Sequence, residues 1–104
     1  MGNNKLRLNI FPLARNDLEQ IFEYIAVDLC NPTAALGLIN DFETAFDRVC
    51  FFPESCPYIA NEYVKDKSLR KLVVNNYVAF YRVSSDEIQV VRVLYGMRDY
   101  ESFL

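Results

Sequence analysis

The stretch that decides the fold runs from residue 69 to residue 83 and reads LRKLVVNNYVAFYRV. Its two ends are rich in apolar and β-branched residues, and the Asn-Asn pair between them is a typical turn sequence. The stretch therefore predicts two antiparallel strands, Leu69–Val74 and Tyr77–Val83. A third strand is predicted over Ile88–Tyr95, because its length and composition suit an antiparallel partner for the second strand.

Two helices and a further strand are predicted before this β-region. Apolar residues recur every three or four positions over residues 13–29, which indicates an amphipathic helix of about four turns. Asn31-Pro32 ends this helix and begins a second, because Asn is a favoured N-cap and Pro a favoured first helical residue. The second helix continues to the residue before Pro53, and the short link makes the two helices antiparallel. Leu6–Ile10 alternates apolar and polar residues and predicts the first strand.

The order β-α-α-β-β-β predicts a single α+β domain over residues 1–104. The helical hairpin would pack on one face of a mainly antiparallel sheet and leave the other face open. Pairing the last two strands through a four-residue turn places Tyr77 and Tyr81 on the open face, with Arg92 between them. We therefore interpret the open face as a cationic, aromatic surface for another macromolecule.

Two features do not follow from these periodic patterns. Residues 53–68 show neither the two-residue period of a strand nor the 3.6-residue period of a helix. They predict a long connection, of the kind that often carries function. Gly37 lies inside the second predicted helix, where it costs about 1 kcal/mol relative to Ala. We expect this glycine to let the two helices approach each other closely.

Composition excludes several kinds of site. The 104 residues include no histidine, which removes a Ser-His or Cys-His nucleophile and a Cys/His zinc site. The odd number of cysteines, at positions 30, 50 and 56, is unlike a secreted disulfide framework. Because the sequence has no signal core and no apolar run of membrane-spanning length, we expect a cytoplasmic protein that needs no metal or cofactor.

Charge is unevenly distributed along the chain. The net charge is −3, which gives no long-range attraction for nucleic acid. Residues 64–82, however, hold five basic side chains against one acidic side chain. This segment contains the predicted hairpin and supports a locally cationic surface.

The C-terminal third of the chain resembles the RelE/ParE toxin superfamily. Leu69–Val83 is similar to the second and third strands of that family, and Ile88–Asp99 to its last strand with the Gly-x-Arg-Asp turn that follows. Further segments fit the same pattern: Pro12–Leu18, Tyr24-Ile25 and Phe52-Pro53. The resemblance implies the toxin of a bacterial type II toxin–antitoxin module of the plasmid-stabilisation type. Such a toxin inhibits growth until its cognate antitoxin protein neutralises it.

Members of this family divide by target. RelE-like toxins are ribosome-dependent endoribonucleases that cleave mRNA in the ribosomal A site. By that resemblance Lys71, Arg98 and Tyr100 would be the catalytic residues. Val78, however, stands where many of these ribonucleases carry an arginine, and a lysine base would need a pKa several units below its ordinary value.

ParE-like toxins bind DNA gyrase and have no established hydrolytic site. Because the ribonuclease set is incomplete, we favour a ParE-like toxin that acts by binding. The target-binding residues would then be Arg70, Tyr77, Tyr81, Arg82 and Arg92. The alternatives are a RelE-like ribonuclease acting on the ribosome with mRNA, and a non-toxic binding or regulatory module of the same fold. We expect an amphipathic helix or extended segment of the antitoxin to cover exposed apolar surface or the sheet edge.

Overall fold

A computed structural model describes residues 5–96 and 102–104 of the chain. The elements follow in the order β1 (Arg7–Ile10), α1 (Pro12–Glu23), α2 (Pro32–Phe51), β2 (Arg70–Val74), β3 (Tyr77–Val83) and β4 (Glu87–Tyr95). The predicted α+β order of β-α-α-β-β-β is confirmed. The predicted bounds of β3 agree with the structure, and those of the other strands differ by one residue at one end.

The first helix ends earlier than its apolar spacing predicted. Helix α1 stops at Glu23 and continues as a single π-helical turn, Tyr24–Asp28, in which the backbone hydrogen bonds span five residues. The second helix begins as predicted, because the Asn31 side chain accepts a hydrogen bond from the Ala34 amide at 3.1 Å. Cys30, with a φ of 52°, makes the reversal between the two helices.

The four strands form one mixed sheet in the order β1-β4-β3-β2. Strands β2, β3 and β4 are antiparallel neighbours, and β1 joins the sheet parallel to β4. Strand β1 is short and pairs only with residues 87–90 of β4. The second half of β4 therefore has no strand on that side, and helix α1 runs along it instead, as the contacts between α1 and β4 show.

The main core lies between the helices and one face of the sheet. Its buried residues from the helices include Ala14, Leu18, Phe42, Phe46 and Val49, and those from the sheet include Ala79, Tyr81, Ile88, Val90 and Val93. A smaller cluster of Val78, Phe80 and Leu94 is buried on the opposite face, which we call the outer face, under Ile59 and Leu104. The prediction of an open outer face is therefore wrong, since the long connection and residue 104 cover part of it.

The assignment of the tyrosines to the open face is also wrong, because Tyr77 and Tyr81 pack in the main core between the sheet and the helices. The predicted position of Arg92 is wrong for a separate reason. Ile88 pairs with Val83 as predicted, but the register shifts between Phe80 and Tyr81, so that Phe80 lies opposite Arg92 and Tyr81 opposite Val90. The extra residue of β4 is a β-bulge, and a bulge changes which side chains lie opposite each other. As a result Arg92 does not lie between two tyrosines.

Gly37 does not mediate the approach of α1 and α2. A Cβ atom built at this position would meet no other atom within 4 Å, and the residue is exposed. The expectation that it allows close packing inside the monomer is therefore wrong. The monomer offers no packing reason for a glycine inside this helix.

Candidate functional site

Arg70 and Lys71 point to opposite faces of the sheet, as adjacent strand residues must. Arg70 lies opposite Tyr81 and Lys71 opposite Phe80, so that Lys71 belongs to the outer face. Part of the long connection continues the sheet beyond β2, since the Lys71 amide donates to the carbonyl of Pro57 at 3.0 Å. This pairing fixes the connection against the edge of the sheet.

The Arg70 guanidinium forms a cation–aromatic pair at the surface. It donates to the carbonyl of Cys56 at 2.7 Å and lies 3.9 Å from the centre of the Tyr58 ring. The Tyr58 side chain is 55% exposed. A fixed guanidinium stacked on an exposed phenol ring is an arrangement common at protein–protein contacts.

Arg82 is held by polar side chains from two directions. Its Nε donates to Gln89 Oε1 at 2.7 Å and its Nη1 to Asp66 Oδ2 at 2.8 Å. Asp66 also accepts hydrogen bonds from the hydroxyl and the amide of Ser68. The Ser68 hydroxyl first, and then the Arg82 guanidinium, lower the pKa of the Asp66 carboxyl. Arg82 thus ties the long connection to β3 and β4.

Arg92 forms a bidentate ion pair with Asp17 of α1. Its Nε and Nη2 donate to the two carboxylate oxygens at 2.8 and 2.9 Å, and the amide of Val93 donates to the same carboxylate at 2.9 Å. The two side chains are 17% and 11% exposed, and the hydrogen bonds that Arg92 donates to Asp17 raise the pKa of Arg92. Most of the charge of Arg92 is therefore neutralised within the monomer.

The two predicted target-binding tyrosines face the helices. Tyr81 is 1% exposed, and its hydroxyl donates to the carbonyl of Pro53 at 2.9 Å. Burial raises the pKa of Tyr81 far above its ordinary value, so this phenol stays protonated. Tyr77 is half-buried, with its ring 5.8 Å from that of Tyr95 and 6.2 Å from that of Phe42. Burial and then Tyr95 raise the pKa of Tyr77.

Of the three predicted catalytic residues, the structure places only Lys71. This side chain is half-buried on the outer face, and its ammonium group has no hydrogen bond or ion pair among residues 5–96 and 102–104. Arg98 and Tyr100 lie outside the described residues. Within the described part of the chain, no group of three His, Cys, Asp or Glu side chains could hold a metal ion, and neither helix has the length and apolar character needed to cross a membrane.

Sequence reasoning missed an apolar groove of about 730 Å³ between β1 and the two helices. The groove is lined mainly by Leu6, Leu8, Ile10, Phe22, Ile39 and Phe46, with Lys5, Arg7, Glu43 and Asp47 among its polar lining. The alternation of apolar residues in β1 was a visible signal of a strand. It did not show that the helices would leave the side of this strand uncovered.

Comparison with known proteins gives a consistent result. Residues 8–100 match the family described as ParE toxin of type II toxin–antitoxin system, parDE. No curated protein sequence matches the chain at a significant level.

Two solved structures share the fold. One is a chromosomal ParDE system from P. aeruginosa, with a TM-score of 0.71, 23% identity, and coverage of 89% of this chain and 98% of that chain. The other is the toxin–antitoxin complex RelBE2 from Mycobacterium tuberculosis, with a TM-score of 0.61, 16% identity, and coverage of 88% and 98%. At these identities the likeness shows the fold alone.

The Asp66–Arg82 contact predicts a pH-dependent part of the stability. Replacing Asp66 by Asn should lower the free energy of unfolding at pH 7 by about 0.5 kcal/mol, a value kept small because the side chain is 37% exposed. Since the folded-state pKa is lowered, this contribution is complete above the ordinary value of 3.8 and is lost as the pH falls through the folded-state value. Denaturant unfolding should therefore show a smaller difference at about pH 3 than at pH 7.

The matched control is Asp28→Asn, at an exposed position in the π-helical turn. It should change the free energy of unfolding little at either pH. A difference between Asp66→Asn and the parent protein that grows on acidification would contradict the assignment.

Proposed function

Because the chain belongs to the family of ParE toxins of type II toxin–antitoxin systems, we propose that it inhibits bacterial growth by binding DNA gyrase in the cytoplasm. We further propose that a cognate antitoxin neutralises it by filling the groove beside β1. The observation that carries the first proposal is the internal neutralisation of Arg82 and Arg92, two of the cations on the sheet. It favours a toxin that acts by binding over one that cleaves RNA.

Cleavage of RNA by its 2′-hydroxyl needs a base, an acid and free cations to stabilise the charged transition state. Among the described residues, Arg82 and Arg92 are paired with Asp66 and Asp17, and Tyr81 is a buried phenol with a raised pKa. Only Lys71 of the predicted catalytic residues is a described cation with no carboxylate beside it. Among residues 5–96 and 102–104, Lys71 by itself does not supply the three roles.

The surface best suited to a protein target is the pair of Arg70 and Tyr58. The Arg70 guanidinium is already desolvated on one side by the Tyr58 ring and is oriented by the Cys56 carbonyl. Binding a target would therefore cost little side-chain entropy. Arg82, Arg92 and Tyr81 act as positioning residues in this proposal, because each holds another part of the chain against the sheet.

The gyrase proposal predicts that the purified full chain blocks DNA supercoiling by gyrase and leaves mRNA intact in a translating extract. Arg70→Glu should weaken the inhibition of supercoiling by about tenfold or more, because it reverses the charge of a contact residue. The matched control is Arg15→Glu, an exposed position on α1, which should inhibit as the parent chain does.

Two outcomes would contradict this proposal in different ways. Cleavage of mRNA at codon boundaries without an effect on gyrase would identify a RelE-like ribonuclease. Harmless overexpression in the absence of any antitoxin, with neither activity, would identify a binding or regulatory module.

The proposed antitoxin site combines an apolar groove with a free strand edge. The amides of Arg7 and Phe11 bond toward β4, and alternation along a strand therefore directs the backbone groups of Leu8 and Ile10 away from the sheet. The Leu8 side chain is 43% exposed beside the groove. An extended segment could pair with β1 and place apolar side chains into the groove.

The rim of the groove carries both signs of charge. Lys5 forms an ion pair with Asp47, which raises the pKa of Lys5, and Glu43 is an exposed acidic group on the same flank of α2. A charged partner segment would therefore find complementary groups on either side of its apolar residues. These charges of both signs favour one defined register of the bound partner segment over several registers along the groove.

The antitoxin proposal predicts that Leu8→Lys weakens binding of the protein encoded by the adjacent reading frame. Placing a charge in the groove should raise the dissociation constant by about tenfold or more, measured by calorimetry on the purified proteins. Leu36→Lys, on an exposed part of α2 outside the groove, is the matched control and should bind normally. If Leu8→Lys and Leu36→Lys bound the antitoxin with equal affinity, the antitoxin would bind outside the groove beside β1.

A further inference from the structure

A second flank of α2 carries an exposed stripe that the proposed function does not use. Gly37, Asp41, Thr44, Arg48 and Phe52 are all exposed, and they follow one another at steps of three and four residues. On a helix such positions share one side, and Phe52 is the C-cap residue at the end of the same helix. We call this set the α2 stripe.

Two members of the α2 stripe have no explanation within the monomer. A Cβ atom at Gly37 would point into open space, although a glycine within a helix lowers its stability. Phe52 is 65% exposed, the second most exposed large apolar side chain on the described surface. The stripe thus has an empty position at one end and a projecting aromatic ring at the other.

The α2 stripe is complementary to itself when read in the opposite direction. In an antiparallel pair of identical helices with the two-fold axis between residues 44 and 45, Gly37 lies opposite Phe52 of the second copy. In the same arrangement Asp41 lies opposite Arg48, and Arg48 opposite Asp41. The Phe52 ring of one copy therefore lies over the open space at Gly37 of the other copy. Each Asp41 carboxylate lies opposite an Arg48 guanidinium.

The charges of the stripe are available for such contacts. The Arg48 guanidinium has no hydrogen bond or ion pair with the residues that the structure describes. Asp41 accepts one hydrogen bond, from Asn75 Nδ2 to its Oδ2 at 2.8 Å, which leaves its other oxygen for a partner. The two groups bracket Thr44 and Ala45 at the proposed axis.

The stripe also borders strand β2 of the sheet. Strand β2 is the outermost strand on that side, and a shallow groove of about 270 Å³ between β2 and α2 is lined by Asp41, Thr44, Arg48 and Val73. The Val73 side chain itself lies on the outer face, since Val73 pairs with Val78. A second copy seated on α2 would cover the side of this groove that Asp41, Thr44 and Arg48 line.

We propose that the protein forms a homodimer through the α2 stripe, with the two α2 helices antiparallel about a two-fold axis. A two-fold contact uses the same patch on both subunits, which is the property that the stripe shows. The groove beside β1 lies on another flank of α2. The dimer therefore leaves the proposed antitoxin site accessible, and this inference does not rest on the proposed function.

Charge exchange at positions 41 and 48 tests the proposal. Sedimentation equilibrium of the full chain should show a reversible dimer, and Asp41→Arg or Arg48→Asp alone should raise its dissociation constant by about tenfold or more, since each places like charges opposite one another twice. The double variant Asp41→Arg/Arg48→Asp should restore the dimer. Glu19→Arg and Arg15→Asp, at exposed positions of α1, are the matched controls and should dimerise as the parent does.

Gly37→Leu provides a second test that does not depend on charge. Leucine suits a helix better than glycine, so the variant should fold, while its side chain fills the space proposed for Phe52 and should weaken the dimer. Two results would overturn the proposal. One is a parent chain that remains monomeric up to about 1 mM, and the other is a folded double variant that dimerises no better than the single variants.

Discussion

The carboxylate of Asp17 links helix α1 to the part of strand β4 that has no neighbouring strand on that side. Strand β1 ends at Ile10, opposite Val90, so the remaining part of β4 would present an unpaired edge. Asp17 accepts the Val93 amide from that edge and both donors of the Arg92 guanidinium. A largely buried ion pair is tolerated only with such complete hydrogen bonding. The position of α1, and with it the groove between β1 and the helices, follows from this contact.

This arrangement also limits what the outer face can do. The guanidinium groups of Arg82 and Arg92 are committed to carboxylates of the same chain, and the small apolar cluster under Ile59 and Leu104 occupies the middle of the face. Of the five cations that the sequence concentrates between residues 64 and 82, Arg82 alone forms an ion pair with a described residue, while Arg70 is held by a carbonyl and an aromatic ring.

The sequence predicted those features that depend on neighbouring residues. The start of α2 depends on the Asn31 cap, and the bounds of β3 depend on an adjacent turn, so both were predictable. The face of each strand was not, because alternation shows which residues share a face but not which face the helices cover. The bulge in β4 and the partner of Arg92, which is 75 residues away in sequence, are long-range features. For the same reason the predicted roles of Tyr81 and Arg92 could not be checked without the fold.

Asp17 closes the edge of β4, and amide hydrogen exchange at Val93 tests this role most directly. The Val93 amide should be strongly protected in the parent chain, although no strand lies beside it, and should lose that protection in Asp17→Ala. The amide of Ile59, which donates to Leu69 on the other side of the sheet, should keep its protection in both proteins. A Val93 amide that exchanges rapidly in the parent, or equally slowly in Asp17→Ala, would contradict this role of Asp17.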